Sequence, residues 1–502
     1  MPNSATIKKR VSQREAARNA TPSLLQKIDI KTAKKGSKDT VSVLGGTTRV
    51  VYWESILSDS IRASVTFTDA GNTMKSTKLT RRGRRPTAKK VSAVEGLPIE
   101  SNGEEVTLKF TDNNGNTLNF GKANNNNLYV NECMHLPTGS ETTDKTYMLD
   151  LAPLEWLTQE KGGYDVRKAF SGQISDSVKK IFEEVLKTKK NIDDIEQTNS
   201  PLDFCGNNTK PFWTLNDLAT KAVSKEVSTI GQTGGYFFWE TYEGYHFKSI
   251  DTLMNQDYKI KILYNESAEG IPKGYQARAL SLETTNNVNV QKKLSTGAYS
   301  AKFFSIDLYG GVVTDEIFKS ADFTEGNEVK LAGEELPSFN DAFNVEEADT
   351  DFSKRLWQIA STGQKFVGPV SDQLKDSKLP NYNKAGIFTQ AKMRYNQLYA
   401  SEVTIVLPGD FSLHAGDSVV VDIPQTDVTQ NKACGDEVDQ RTSGKYLISD
   451  LAHFITARET YTKLVLIRDS FGRKVKSNKG GKGEASSNAD KVMNSNFLSF
   501  LK

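Results

Sequence analysis

Gly103-Glu104-Glu105-Val106-Thr107-Leu108 and, near the other end of the chain, Gly416-Asp417-Ser418-Val419-Val420-Val421 share one pattern: glycine, acid, any residue, valine, any residue, aliphatic. Each is followed by a loop and a second matched string, Val130-Asn131-Glu132-Cys133-Met134-His135 in the first and Ile448-Ser449-Asp450-Leu451-Ala452-His453 in the second. A strand-like run closes each copy, KTYMLDL at 145–151 and YTKLVLIR at 461–468. Physically each copy reads as three β-strands. The glycine tightens an entry turn, and alternating residues fill one face. Self-similarity of this kind is the mark of a repeated unit, so two related β units are expected. Histidines that close matched strands are expected to be structural rather than catalytic.

The rest of the chain is arranged around these copies. Strand-like runs surround the first, including TTRVVYWESI from Thr47 and ASVTFT at 63–68, and Asn113-Asn114-Gly115-Asn116 reads as a hairpin turn. In the middle, Ile174, Val178, Ile181, Phe182, Val185 and Leu186 form the stripe of an amphipathic helix. A second helix is expected to start at Thr214, and YFFWE followed by Tyr242-Glu243-Gly244 and YHFKSI reads as an aromatic hairpin. A helix is expected near 385–400, ahead of the closing strands.

With 502 residues, three or four domains are expected. Lys+Arg 65 against Asp+Glu 62 gives a net charge of +3, which argues against a general polyanion binder. Three scattered cysteines exclude a disulfide framework and a zinc spacing, and they fit synthesis in a reducing compartment. No run is long and apolar enough for a transmembrane helix, and the first twenty residues lack the apolar core of a secretory signal. The charge is unevenly spread. Residues 75–90 (KSTKLTRRGRRPTAKK) carry eight basic residues and no acid, among them Arg81, Arg82, Arg84 and Arg85. The C-terminal tether ends in Phe497-Leu498-Ser499-Phe500-Leu501. Both are candidate partner-binding segments. Nucleotide-loop, metalloprotease and nucleophile-elbow motifs are missing, and Asp112-x-Asn114-x-Asn116 lacks the glycine and terminal glutamate of a calcium loop. A solvated loop is the expected reading of the acidic stretch around Glu346, Glu347, Asp349 and Asp351. No enzyme, cofactor or metal site is expected.

Several further strings occur in a telling order. They are Tyr52-Trp53-Glu54-Ser55-Ile56, YMLDLAPLE at 147–155, Phe170-Ser171-Gly172, Trp213-Thr214-Leu215, GYFFW at 235–239, and Gly409-Asp410-Phe411-Ser412-Leu413-His414-Ala415-Gly416-Asp417. Together they resemble the central baseplate hub protein of T-even-like contractile-tailed bacteriophages, and the similar hub half of the type VI secretion spike VgrG. The resemblance implies an α+β, β-rich fold with two tail-tube-like antiparallel β-barrel domains, an inserted helical domain and an inserted β/loop domain. It also implies a homotrimer with a pseudo-sixfold ring, joining a sixfold tail tube to a threefold spike in the virion baseplate after assembly in the host cytoplasm. Expected partners are the central spike, the tail tube or its initiator, wedge proteins and the tape-measure protein, with DNA only in transit. The division expected from it is a basic flexible arm at 1–39, a first barrel at 40–152 and a helical domain at 153–225. A second barrel is expected at 226–262 and 385–470, a spike-facing insertion at 263–384 and a flexible tail at 471–502. The competing readings are a hub-associated cell-wall hydrolase, which needs a catalytic constellation, and a nucleic-acid binder using the basic loop, which needs salt-dependent affinity.

Overall fold

The computed structural model describes residues 23–31, 40–69, 74–76, 89–91, 99, 103–136, 145–199, 201–225, 234–264, 271, 274–287, 289–307, 311–320, 345, 347, 350–360, 384–424, 438–439 and 441–472. The first strands are β1 (Leu24–Lys31), β2 (Thr40–Ser42), β3 (Thr47–Ser55) and β4 (Arg62–Asp69). A short ladder of β5 (Met74–Ser76) and β6 (Lys89–Val91) follows, then β7 (Glu105–Thr111), β8 (Thr117–Phe120), β9 (Leu128–Leu136) and β10 (Lys145–Pro153). Alternation decides which face is buried: Ala63, Val65 and Phe67 of β4 and Val106, Leu108 and Phe110 of β7 turn into one core. The β7–β8 turn closes because the Asp112 carboxylate accepts the N–H groups of Asn114 at 2.9 Å and Asn116 at 2.8 Å.

In the middle of the chain, β11 (Ala169–Phe170) pairs with β12 (Phe204–Cys205), and β13 (Tyr236–Thr241) with β14 (Gly244–Ser249). The α-helix Ile174–Lys180 continues as a π-helical turn, Ile181–Leu186, carrying the expected stripe into a core with Leu215 and Leu218. The next helix runs Pro211–Ala219, starting a turn earlier than expected. Proline suits the first helical position, where its missing N–H costs nothing, and the Thr214 hydroxyl instead donates to the Lys210 carbonyl at 3.0 Å.

The last strands are β15 (Tyr258–Leu263), β16 (Ala277–Arg278), β17 (Ser281–Asn287), β18 (Ser300–Asp307), β19 (Val312–Lys319), β20 (Lys354–Ala360), β21 (Ser401–Pro408), β22 (Ser418–Asp422), β23 (Gly444–Thr456) and β24 (Thr460–Arg468). Of these, β18–β20 form a separate three-stranded sheet, packed against the helix Lys384–Leu398 through Phe303 and Phe388. The others join the strands of the first unit in one 15-stranded sheet.

The repeat is written into that sheet. The first unit has the order β3-β4-β10-β9-β7-β1-β2, and the second has β17-β21-β24-β23-β22-β15-β16. Leaving aside β8, which among the described residues pairs only with β7 and has no counterpart in the second unit, the two orders counted along the chain are the same. At the centre of the units the registers agree: Val50, Val65, Leu149 and Cys133 lie side by side in one, as Leu282, Ile405, Leu464 and Leu451 do in the other. A bulge skips Asn131 where β9 meets β10, and another skips Ser449 where β23 meets β24. Those two residues occupy the same place in the matched strings. So do Gly103 and Gly416, both left-handed at φ 81° and 90°.

Several expectations need correction. Residues 24–31 belong to the sheet and not to a flexible arm: Ile28 and Ile30 are fully buried, an alternation hidden in the sequence by the flanking lysines. The hairpin β13–β14 sends Tyr236, Phe238, Tyr245 and Phe247 into the helical core instead of the second β core. Strands β16 and β17 stand in the main sheet with β15, so the insertion in the second unit begins after β17. The second unit is also not wholly antiparallel. The helix Ile250–Asn255 delivers β15 parallel to β22, whereas its counterpart β1 runs antiparallel to β7.

The matched glycines make different demands. A Cβ at Gly416 would meet the Trp239 ring at 2.6 Å, while one at Gly103 would meet nothing within 4 Å. Gly103→Ala should cost about 1 kcal/mol for its backbone alone, and Gly416→Ala about 3 kcal/mol or more. Urea unfolding of the two variants checks the order.

Candidate functional site

The place where the two units meet is built from strand β23. Its thirteen residues outrun β22, so Gly444–Leu447 pair with β22 while Asp450–Thr456 pair antiparallel with β3 of the first unit. Glu54, on β3, sits at this seam with only 1% of its surface exposed. Oε1 accepts the Tyr52 hydroxyl at 2.6 Å, the Tyr242 N–H at 2.9 Å and His414 Nδ1 at 3.0 Å. Oε2 accepts the Ala415 N–H at 2.9 Å. One carboxylate thus binds the first unit, the turn of the aromatic hairpin and the loop that enters β22.

Neighbouring bonds extend the seam. Trp239 Nε1 donates to the Ala415 carbonyl at 3.0 Å, and Phe411 N–H donates to Asp112 Oδ2 at 2.9 Å. Phe411 also packs edge-on against Phe110 and His453, at 5.1 and 4.7 Å between centroids. On the helical side, buried Lys190 bonds Glu240 and lies 3.6 Å from Glu155, while Glu240 Oε2 accepts the Ile61 N–H at 3.3 Å. Arg394 of the long helix meets Asp251 at 2.7 Å.

The electrostatics follow from burial and pairing. Burial alone would raise the Glu54 carboxyl, but His414 and the converging donors outweigh it and hold it down to about 2. Burial opposes the charged form of His414 as well, yet Glu54 and the nearby Asp417 and Glu243 raise it above its ordinary value. Burial pushes Glu240 up to about 7, with Lys190 opposing and Glu155 reinforcing. His453 is fully buried and falls to about 3, which keeps its ring neutral while Nδ1 bonds Thr462 at 2.9 Å. Every oxygen of Glu54 is committed to a structural donor. The chemistry of this centre is adhesion.

The basic candidates Arg81, Arg82, Arg84 and Arg85 and the apolar candidates Phe497, Leu498, Phe500 and Leu501 lie outside the described residues. What is described is the ladder beneath the basic segment, where Met74 stands opposite Val91. The matched histidines part company: His453 is buried and His135 exposed, beside Tyr147. In the acidic stretch, Asp351 pairs with Lys319, and no cluster able to hold a metal occurs among the described residues. Sequence reasoning did not connect Glu54 with His414, although both stand in strings singled out for their order. A carboxylate inside a run of buried strand residues was the available signal.

No protein-family model and no curated protein sequence matches the chain. Solved structures do. Its structural neighbours are phage tail and baseplate proteins and type VI secretion proteins. The tail protein from Neisseria meningitidis MC58 shares 8% identity at a TM-score of 0.46, covering 88% of this chain and 96% of that one. The 43 kDa tail protein of prophage MuSo2 from Shewanella oneidensis shares 10% at 0.45, covering 89% and 99%. An E. coli component of the type VI secretion system, described as structurally similar to phage T4 tail proteins, shares 10% at 0.38, covering 90% and 80%.

Glu54's contribution to stability is fully present above its ordinary value of 4.5 and fades as pH falls toward 2. That of His414 is fully present below 6.5 and fades as pH climbs past its raised value. Glu54→Gln should therefore cost about 3 kcal/mol near neutral pH, with the gap to wild type narrowing below pH 4.5. Denaturant unfolding of both proteins across pH measures this.

Proposed function

We propose that this chain is a structural hub of a contractile phage tail. It works as a homotrimer whose two repeated units per copy supply six similar positions in a ring around the channel. The observation that carries the reading is the shared strand order of the two units and their edge-to-edge joining through β3 and β23. Three copies of a doubled unit present a sixfold face to a tail tube and keep a threefold face for a central spike. Each unit is read as a tail-tube-like barrel. The first is built from β1–β4 and β7–β10, the second from β15–β17 and β21–β24, and the sheet β18–β20 with its helix faces the spike. The order of the hub-like strings in the sequence points the same way.

The remaining partners follow from the charge pattern. The basic segment at 75–90 is assigned to acidic surfaces of wedge or tube proteins, and the apolar C-terminal segment to an adjacent baseplate component. Tape-measure protein and DNA pass through the lumen without a dedicated site. A seam built around the buried, fully bonded Glu54 carboxylate favours a structural scaffold over a hydrolase.

Native mass of the purified protein, alone and with its spike, should give a trimer, and particle images should show a pseudo-sixfold face. A chain that stays monomeric with the spike present would refute the hub. Truncation to test the tail belongs after Gly472, because Phe471 packs under Arg441 at 4.9 Å and Arg468 reaches the Gly472 carbonyl at 3.4 Å. The truncated protein should keep its unfolding midpoint and lose baseplate assembly. Normal assembly would remove the tail from the interface.

A further inference from the structure

The joint between the two units uses two kinds of edge. One is the free side of β3, the terminal strand of the first unit, and the other is the second half of β23. Because the units repeat, each edge has a counterpart. The counterpart of β3 is β17, and the counterpart of the second half of β23 is the second half of β9. Among the described residues β17 pairs only with β21, and β9 beyond Val130 pairs only with β10. Among the described residues, one edge of each kind is therefore left open.

Burial marks the same asymmetry. Tyr52 and His453 face one another across the internal joint, each 0% exposed. Their counterparts by register, Thr284 and His135, are both exposed. Leu451 is buried, whereas its counterpart Cys133 is half-buried. A strand edge left open in this way is a template for pairing with another chain. A contact between two different edges of one molecule is heterologous, and it closes a ring when the rotation allows.

We propose that β17 of one copy pairs antiparallel with the second half of β9 of the next copy, repeating between chains the β3–β23 joint made within each chain, with Thr284 opposite His135. This rests on the ring reading above and deepens it by naming the contact between copies. Internal and external joints then alternate around three chains, and every unit meets its neighbours through the same pair of edges. Where the register is continuous the facing residues carry no like-charge clash: Glu283 comes opposite Leu136, and the bulge after Thr284 ends the strict match to β3. The residue after β9 is Pro137, which has no N–H to lengthen such a ladder, so the contact is confined to β9 itself.

Facing residues on paired strands lie close enough for a disulfide. In a background of Cys133→Ser, Cys205→Ser and Cys434→Ser, the full-length His135→Cys/Thr284→Cys variant should form cross-links on mild oxidation. On a denaturing gel the band should shift from one-chain to two- and three-chain mass and collapse on reduction. The pair His135→Cys/Leu282→Cys, two residues out of register, should stay largely uncross-linked. Both positions of the test pair are exposed, so its folding is checked by an unchanged unfolding midpoint. Amide exchange across 281–287 should also slow in the trimer. A trimer by native mass that gives no shift with the first pair, or an equal shift with both, overturns this joint and leaves the ring standing. A monomer by native mass with the spike present overturns both.

Discussion

The structure depends on one buried carboxylate. Glu54 lies at the seam of two similar β units, where any ion must be fully bonded or it destabilises the fold. Its two oxygens gather four donors from three separate parts of the chain. Because those donors come from β3, from the β13–β14 turn and from the loop before β22, the charge fixes their relative positions more tightly than apolar packing alone would. The ladder between β3 and β23 supplies the backbone pairing. Glu54 determines which loops stand beside it.

Much of this was legible in the sequence where the signal is local. The glycine-acid-valine strings, the asparagine turn, the helical stripe from Ile174 to Leu186 and the aromatic hairpin depend on neighbouring residues, and they form as read. The repeat was visible because its glycines must adopt a left-handed backbone and its strand ends must turn together. The bulges at Asn131 and Ser449 show how closely the two copies agree, to the single skipped residue.

What escaped the sequence is non-local. The strand β1 carries Leu25, Ile28 and Ile30 among lysines, and only its pairing with β7 shows which face is buried. The hairpin β13–β14 has apolar residues on both faces, so periodicity alone could not choose between the helical core and the second β core. Glu54 and His414 are 360 residues apart, and no spacing rule joins them. The candidate partner segments were chosen by composition, which identifies exposed charge without saying what it meets.

One further feature separates the two copies. In the first unit β3 passes to β4 through the short turn 56–61, whereas at the same point in the second unit the chain leaves β17, builds the sheet β18–β20 and the helix Lys384–Leu398, and returns at β21. A hairpin loop is the one place where a sheet can accept so large an addition without moving a strand. The sheet β18–β20 packs on its own helix through Phe303 and Phe388, while the far end of that helix stays tied to the main fold: Leu398 shares a core with Trp239, Leu447 and Ile467, and Arg394 pairs with Asp251. Growth or replacement of the sheet β18–β20, with the helix kept, would alter what the second unit presents outward and leave the β17–β21 ladder unchanged. The fold thus separates a part that must stay constant from a part free to diversify.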